Sequence, residues 1–141
     1  MPDAFRFTTR IPVRYSDLDA QGHVNHARYF SFMEEARFHY IRALGLWTDD
    51  QDLKAVGQII AEATCTYLRP VLLGQTVEVA LRTTRLGHKS AEMAYRLSVA
   101  GEPVATGRTV QVAYDYAAHQ SIPIPSAWRD AVAAYEGEGS P

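Results

Sequence analysis

The feature that most limits what this chain can fold into is one stretch, Ala27 to Leu44, that lacks both proline and glycine and is followed by β-type segments. Along it Tyr29, Phe30, Met33, Ala36, Tyr40, Ile41 and Leu44 keep the i, i+4, i+7 rhythm of one helix face. Asn25 supplies a candidate N-cap and Gly45 a candidate C′ residue, so the helix has a start and a stop. Phe32 and Phe38 fall off the main stripe, which predicts a helix wrapped by other structure rather than laid on a surface.

Before the helix, Phe5 to Tyr15 read as a strand rich in β-branched residues, with Pro12 marking an edge or a bulge. After it, and after a polar loop from Thr48 to Lys54, the segments Ile59–Leu68, Thr76–Arg85, Ser90–Ala100 and Val104–Tyr116 favour strands. The short links between them, such as Leu86-Gly87-His88-Lys89 and Ala100-Gly101-Glu102-Pro103, imply hairpins and an antiparallel sheet. Ser126–Tyr135 is expected to form a short helix and residues 137–141 a frayed tail. The expected architecture is therefore α+β, one domain over residues 1–136, with a five-stranded antiparallel sheet and one long helix in two layers. The helix covers one sheet face. The other face, or an edge, is left for a partner subunit.

The 141 residues suit one domain, and 47% apolar content allows a core. A net charge of -2 excludes the strongly basic surface of a nucleic-acid binder, though not a local anion site. Cys65 is the only cysteine, so no internal disulfide forms, and Met1 to Arg10 contain no apolar run of the secretory kind. No stretch has the length of a membrane span. A cytoplasmic protein without a membrane role is the expectation.

The densest polar cluster is the strand-to-helix junction, from Tyr15-Ser16-Asp17-Leu18-Asp19 through Gly22-His23-Val24-Asn25-His26 to Tyr29. Carboxylates and imidazoles stand just ahead of a helix start, where unpaired N–H groups and the positive dipole end gather. Such a site stabilises the oxyanion of an attacked carbonyl while a carboxylate activates water or attacks directly.

This stretch resembles the signature of the hotdog thioesterases of the 4-hydroxybenzoyl-CoA thioesterase family, and in particular their long-chain acyl-CoA branch. That motif is an Asp, a few residues, then His-Val-Asn-(Asn/His)-Ala-Arg-Tyr and Glu-Glu-Ala-Arg. The chain has Asp19, then His23-Val24-Asn25-His26-Ala27-Arg28-Tyr29 and Glu34-Glu35-Ala36-Arg37. Tyr67-Leu68-Arg69-Pro70 followed by Gly74 resembles a second family signature, and the similarity runs in order over residues 8–116. The Asp usual after that glycine is Gln75 here, a change in a turn.

The resemblance implies a hotdog fold, with the sheet wrapped around the helix, and hydrolysis of acyl-CoA to a free acid and CoA. It needs no metal, nucleotide or prosthetic group, and it implies a homodimer or homotetramer. Asp19, the second member of the Asp-x-Asp pair, corresponds to the family's catalytic carboxylate, as base or nucleophile. The His26 backbone N–H would polarise the carbonyl, with Asp17 in support. A basic residue at the turn after the third strand contacts CoA phosphates in the family, which points to Lys89, then His88 and Arg85.

The same residues have plainer readings. Asp17 suits an Asx-turn, His23 a packed loop residue or a proton shuttle, and Asn25 a cap or a group that orients water. Asp19, His23 and His26 are spaced like metal ligands, but His39, His88 and His119 are scattered and offer no obvious third histidine. Cys65 lies inside an alternating strand with no neighbouring histidine and reads as a small buried hydrophobe. Glu34 and Glu35 read as surface or helix-pairing carboxylates, with a second catalytic acid as the other option. Two other classes stay open. A hotdog hydratase/dehydratase would carry Asn-Pro before the histidine, where this chain has Gln21-Gly22. A non-catalytic acyl-CoA-binding protein would lack Asp19.

Overall fold

A computed structural model describes residues 4–137; residues 138–141 of the expected tail lie outside the described residues. The elements run β1 (Phe7–Pro12), α1 (Arg28–Ala43), β2 (Gln58–Tyr67), β3 (Thr76–Leu86), β4 (Ser90–Val99), β5 (Glu102–Asp115), β6 (Gln120–Ser121) and α2 (Ser126–Glu136). Short 3-10 turns at Tyr15–Asp17 and Leu53–Val56 occupy stretches that read as strand end and loop. The first strand is thus shorter than its sequence pattern, because the chain turns as soon as it passes Pro12.

Helix α1 buries Tyr29, Phe32, Met33, Ala36, Tyr40 and Ile41. Phe32 therefore belongs to the buried stripe that the sequence reading placed it outside. The helix start also differs from expectation. Ala27 occupies the N-cap without a side-chain bond, while Asn25, two residues earlier, takes the Ala27 N–H on its Oδ1 at 2.9 Å. Asn25 caps the turn that leads into the helix, not the helix itself. The far end is as expected. Gly45 (φ 78°) donates to the Arg42 carbonyl at 2.9 Å and Leu46 to that of Ile41 at 3.1 Å, the paired bonds of a Schellman stop.

The strands form an antiparallel sheet in the order β1-β3-β4-β5-β2, with the two-residue β6 added beside β5. Five long strands agree with the sequence reading, and β6 is an addition to it. Residues of β4 alternate in burial as far as Leu97, and those of β3 do so as far as Thr83 except at Ala80, which is buried beside Val79 and Leu81. Val77, Val79, Leu81, Met93, Tyr95 and Leu97 join the buried face of α1 in the main core. Where α1 crosses β5 there is no room for a side chain: a Cβ on Gly107 would lie 2.7 Å from the Met33 Cε. A second, smaller cluster of Ala91, Ala113, Ile124, Trp128 and Val132 sits under α2.

Strand β2 is unlike its neighbours. It pairs only with β5, and apart from half-buried Gln58 and Cys65 every residue along it is exposed. Ile59, Ile60 and Tyr67 are among them. Among the described residues no helix is long and apolar enough to cross a membrane.

Candidate active site

The junction between β1 and α1 is held by a carboxylate that never reaches the surface. Asp17 is fully buried and takes the Arg14 backbone N–H on Oδ2 at 2.8 Å and the Arg14 guanidinium on Oδ1 at 3.0 Å. Burial by itself would raise this carboxyl, but the Arg14 hydrogen bonds and charge outweigh it and hold it below the usual carboxylate range. The Asp17 carbonyl in turn receives the Asn25 N–H at 2.8 Å, so both ends of the loop are fixed to one residue.

Inside that bracket the loop is pinched by a bridge between Leu18 and Val24, with the Asp19 N–H on the His23 carbonyl at 2.9 Å. Gly22 (φ 86°) closes the turn by donating to the Asp19 carbonyl at 3.1 Å, and the Val24 N–H reaches Val71 at 2.8 Å. The Asp19 side chain is half-buried, and its Oδ1 accepts the Gln21 N–H at 2.9 Å.

Asp19, His23 and His26 line one open cleft of about 350 Å³ together with Val24, Tyr29, Tyr67, Leu68, Arg69 and Pro70. The backbone donors around it are unequally used. The N–H groups of Val24, Asn25, Ala27 and Arg28 all meet acceptors in the chain. That of His26 has none among the described residues. It stands where the chain enters α1, at the positive end of the helix dipole.

Neither Tyr67 nor Tyr29 was given a role by the sequence, although Tyr67 belonged to the Tyr-Leu-Arg-Pro signature and Tyr29 closed the His-Val-Asn-His-Ala-Arg-Tyr motif. The Tyr67 hydroxyl donates to the His26 carbonyl at 2.8 Å, and its ring stands edge-on to Tyr29 at 4.9 Å. Burial first, then the nearby Cys65 sulfur, raises both phenols above their ordinary values. Burial also pushes the Cys65 thiol up, which leaves it unactivated. Nothing in the spacing of residues 15–29 announces Tyr67. Only the pairing of β2 with β5 brings it there.

The remaining candidates are elsewhere. Asn25 organises the turn and does not line the cleft. Glu34 pairs loosely with Arg37 at 3.8 Å, and Glu35 bonds His39 at 2.8 Å. Arg85, His88 and Lys89 are exposed around the β3–β4 turn, at the opposite end of the sheet. The 11 residues of β3 separate the two ends by about 36 Å at ~3.3 Å per residue. Among the described residues no group of three or more His, Cys, Asp or Glu is placed to hold a metal ion.

Known proteins resemble this chain along most of its length. The model of the thioesterase-like superfamily matches residues 13–132. A thioesterase from Thermus thermophilus, solved with coenzyme A and Zn, superposes with a TM-score of 0.84 and 37% identity over 96% of this chain and 98% of that one. The 1,4-dihydroxy-2-naphthoyl-CoA hydrolase of Synechococcus elongatus is 33% identical over 120 residues, 84% of this chain and 88% of its own. The long-chain acyl-CoA thioesterase FadM of Escherichia coli is 27% identical over 86% of this chain and 93% of its own. A curled antiparallel sheet packed on a helix, a matching family model and thioesterase neighbours along nearly the whole length give one answer: the chain belongs to the thioesterase-like superfamily and has its hotdog-type α+β fold.

Proposed function

We propose that the cleft beside α1 hydrolyses acyl-CoA thioesters, with Asp19 as the carboxylate that drives the reaction and the His26 N–H as the oxyanion donor. The enzyme is an acyl-CoA thioesterase. The observation that carries the assignment of roles is the pairing of a half-buried carboxylate with an unused backbone donor in one cleft at a helix start.

Asp19 either takes a proton from a water whose oxygen attacks the thioester carbonyl carbon, or attacks that carbon itself. Negative charge gathers on the carbonyl oxygen, where the His26 N–H and the helix dipole favour it. The C–S bond then breaks, CoA leaves as the thiolate and takes up a proton, and the acyl group ends as a carboxylate. In the second route water must also cleave an Asp19 anhydride. His23 shapes the loop through its carbonyl bond to Asp19.

The CoA end of the substrate meets a geometric limit. Lys89, His88 and Arg85 are a sheet length away from Asp19, so one subunit does not bring them to the same substrate. A homodimer removes the conflict. The exposed β2 edge is suited to pairing with a second β2 about a two-fold axis. Antiparallel pairing turns the partner's sheet end for end, so Lys89 of the partner subunit comes toward this cleft. The setting is the cytoplasm, in keeping with a lone thiol.

A panel of acyl-CoA esters, aromatic and aliphatic, read by released thiol, tests the activity. Turnover of none of them would defeat it. Single turnover in H₂¹⁸O identifies the anhydride route if ¹⁸O appears in Asp19, which happens only when water attacks the Asp19 carboxyl carbon of the anhydride.

A further inference from the structure

We infer that Tyr67 is a positioning residue for the hydrolysis, holding the His26 backbone from its carbonyl side so that the His26 N–H faces the reacting carbonyl; this rests on the reading of the cleft given above. The Asn25–His26 peptide carries the N–H in question and is held through the Asn25 carbonyl, which takes the Arg28 N–H at 2.9 Å; one peptide earlier the Asn25 N–H is on the Asp17 carbonyl at 2.8 Å. The next peptide, His26–Ala27, donates its Ala27 N–H to Asn25 Oδ1 at 2.9 Å and is held at its carbonyl as well. The His26 carbonyl receives the Tyr29 N–H at a long 3.4 Å and the Tyr67 hydroxyl at 2.8 Å. The stronger of those two holds comes from a residue 41 positions away in sequence.

Tyr67 is itself well braced. It is the last residue of β2, in register with Ala105 of β5, and its ring is edge-on to Tyr29 at 4.9 Å and to His26 at 6.3 Å. The strand end, the two rings and the hydroxyl together fix the orientation of His26 from the sheet side, as Asp17 does from the loop side. The elevated phenol stays protonated through neutral and mildly alkaline conditions, so the donor is present over the working range.

A donor that must point at a developing oxyanion matters more in the transition state than for the bound thioester. Loosening it lowers kcat and leaves KM nearly untouched. Removing an oxyanion donor outright costs about 10²–10³ in rate, so misaiming one costs less, on the order of ten- to thirty-fold.

The test is Tyr67→Phe, which keeps the ring and its packing, assayed by thiol release with an acyl-CoA that the wild type turns over. The expected result is a ten- to thirty-fold lower kcat, a KM within about two-fold and an unchanged pH profile. A kcat within two-fold of wild type overturns the inference. So does a KM that rises as kcat holds, which would make Tyr67 a substrate contact. A lost alkaline limb would make it a proton donor instead, and also overturns it. Asp19→Asn in the same assay keeps the two ideas apart. If Asp19→Asn is inactive and Tyr67→Phe is normal, the positioning role alone fails. If Asp19→Asn turns over normally, the reading of the cleft fails first. Thermal melting of Tyr67→Phe within a few degrees of wild type establishes that the fold is retained, and melting far below it overturns the inference in favour of a purely structural tyrosine.

Discussion

The two ends of the sheet are built on opposite plans. At the β3–β4 turn the backbone is tied into the chain: the Gly87 carbonyl takes an Arg129 N–H, His88 takes the Ile124 N–H and Lys89 the Ala113 N–H. Beneath it α2 seals a small apolar cluster around Trp128. At the other end one carboxylate, two imidazoles and two phenols gather at a cleft with a backbone donor left unpaired. One end presents charged side chains on a closed frame. The other leaves part of its frame open to a ligand. A catalytic centre needs the second arrangement, because preorganised dipoles act on a transition state only if nothing in the protein has already paired with them.

Asp19 and Asp17 put this contrast to its strongest test. Asp19→Asn should lose about 10³-fold or more in turnover while melting like the wild type, because the carboxylate touches little but the Gln21 N–H. Asp17→Asn should reverse the pattern, keeping measurable turnover and losing stability through a broken bracket at Arg14. The acid limb carries a sign. The Asp17 carboxyl lies below its unfolded value, so its stabilisation is present above the ordinary Asp range near pH ~3.9 and fades as pH falls through the folded value. The wild-type advantage over Asp17→Asn in thermal melts should therefore shrink below about pH 4. A dead Asp17→Asn beside an active Asp19→Asn would reverse the assignment.

The next effect concerns how two copies join the two kinds of end. Wild type should sediment as a dimer or a dimer of dimers. Ile60→Lys, which puts a charge on the exposed β2 edge, should shift it toward monomer and lower turnover with it. A wild-type monomer at micromolar concentration breaks the proposal that the ends meet in trans.

The smallest expected effect belongs to the closed end. Lys89→Ala should raise KM for acyl-CoA several-fold with little change in kcat, since a remote phosphate contact is made alike in ground and transition states. Added salt should reproduce part of the effect, with screening over about 8–10 Å. A thioester without the nucleotide phosphates should not respond. Unchanged kinetics would leave Lys89 a solvated turn residue.

Much of this was written locally. Freedom from proline and glycine between Ala27 and Leu44, with Gly45 beyond, dictated a helix and its stop, because backbone propensity and the left-handed stop act over a few residues. Alternation and short turn sequences likewise dictated the long antiparallel strands. The motif from Asp17 to Arg28 named Asp19, His23 and His26, which the fold gathers at one cleft. Local signals could not distinguish Asn25 at a helix cap from Asn25 two residues before one, nor a buried Asp17 from a half-buried Asp19, since both differences depend on what packs over the loop. Tyr67 and Lys89 lie beyond the reach of any spacing rule. Which of them stands beside Asp19 depends on strand order and direction: β2 closes the sheet on the far side of β5 and delivers Tyr67 to the cleft, while the same antiparallel register carries Lys89 to the opposite end.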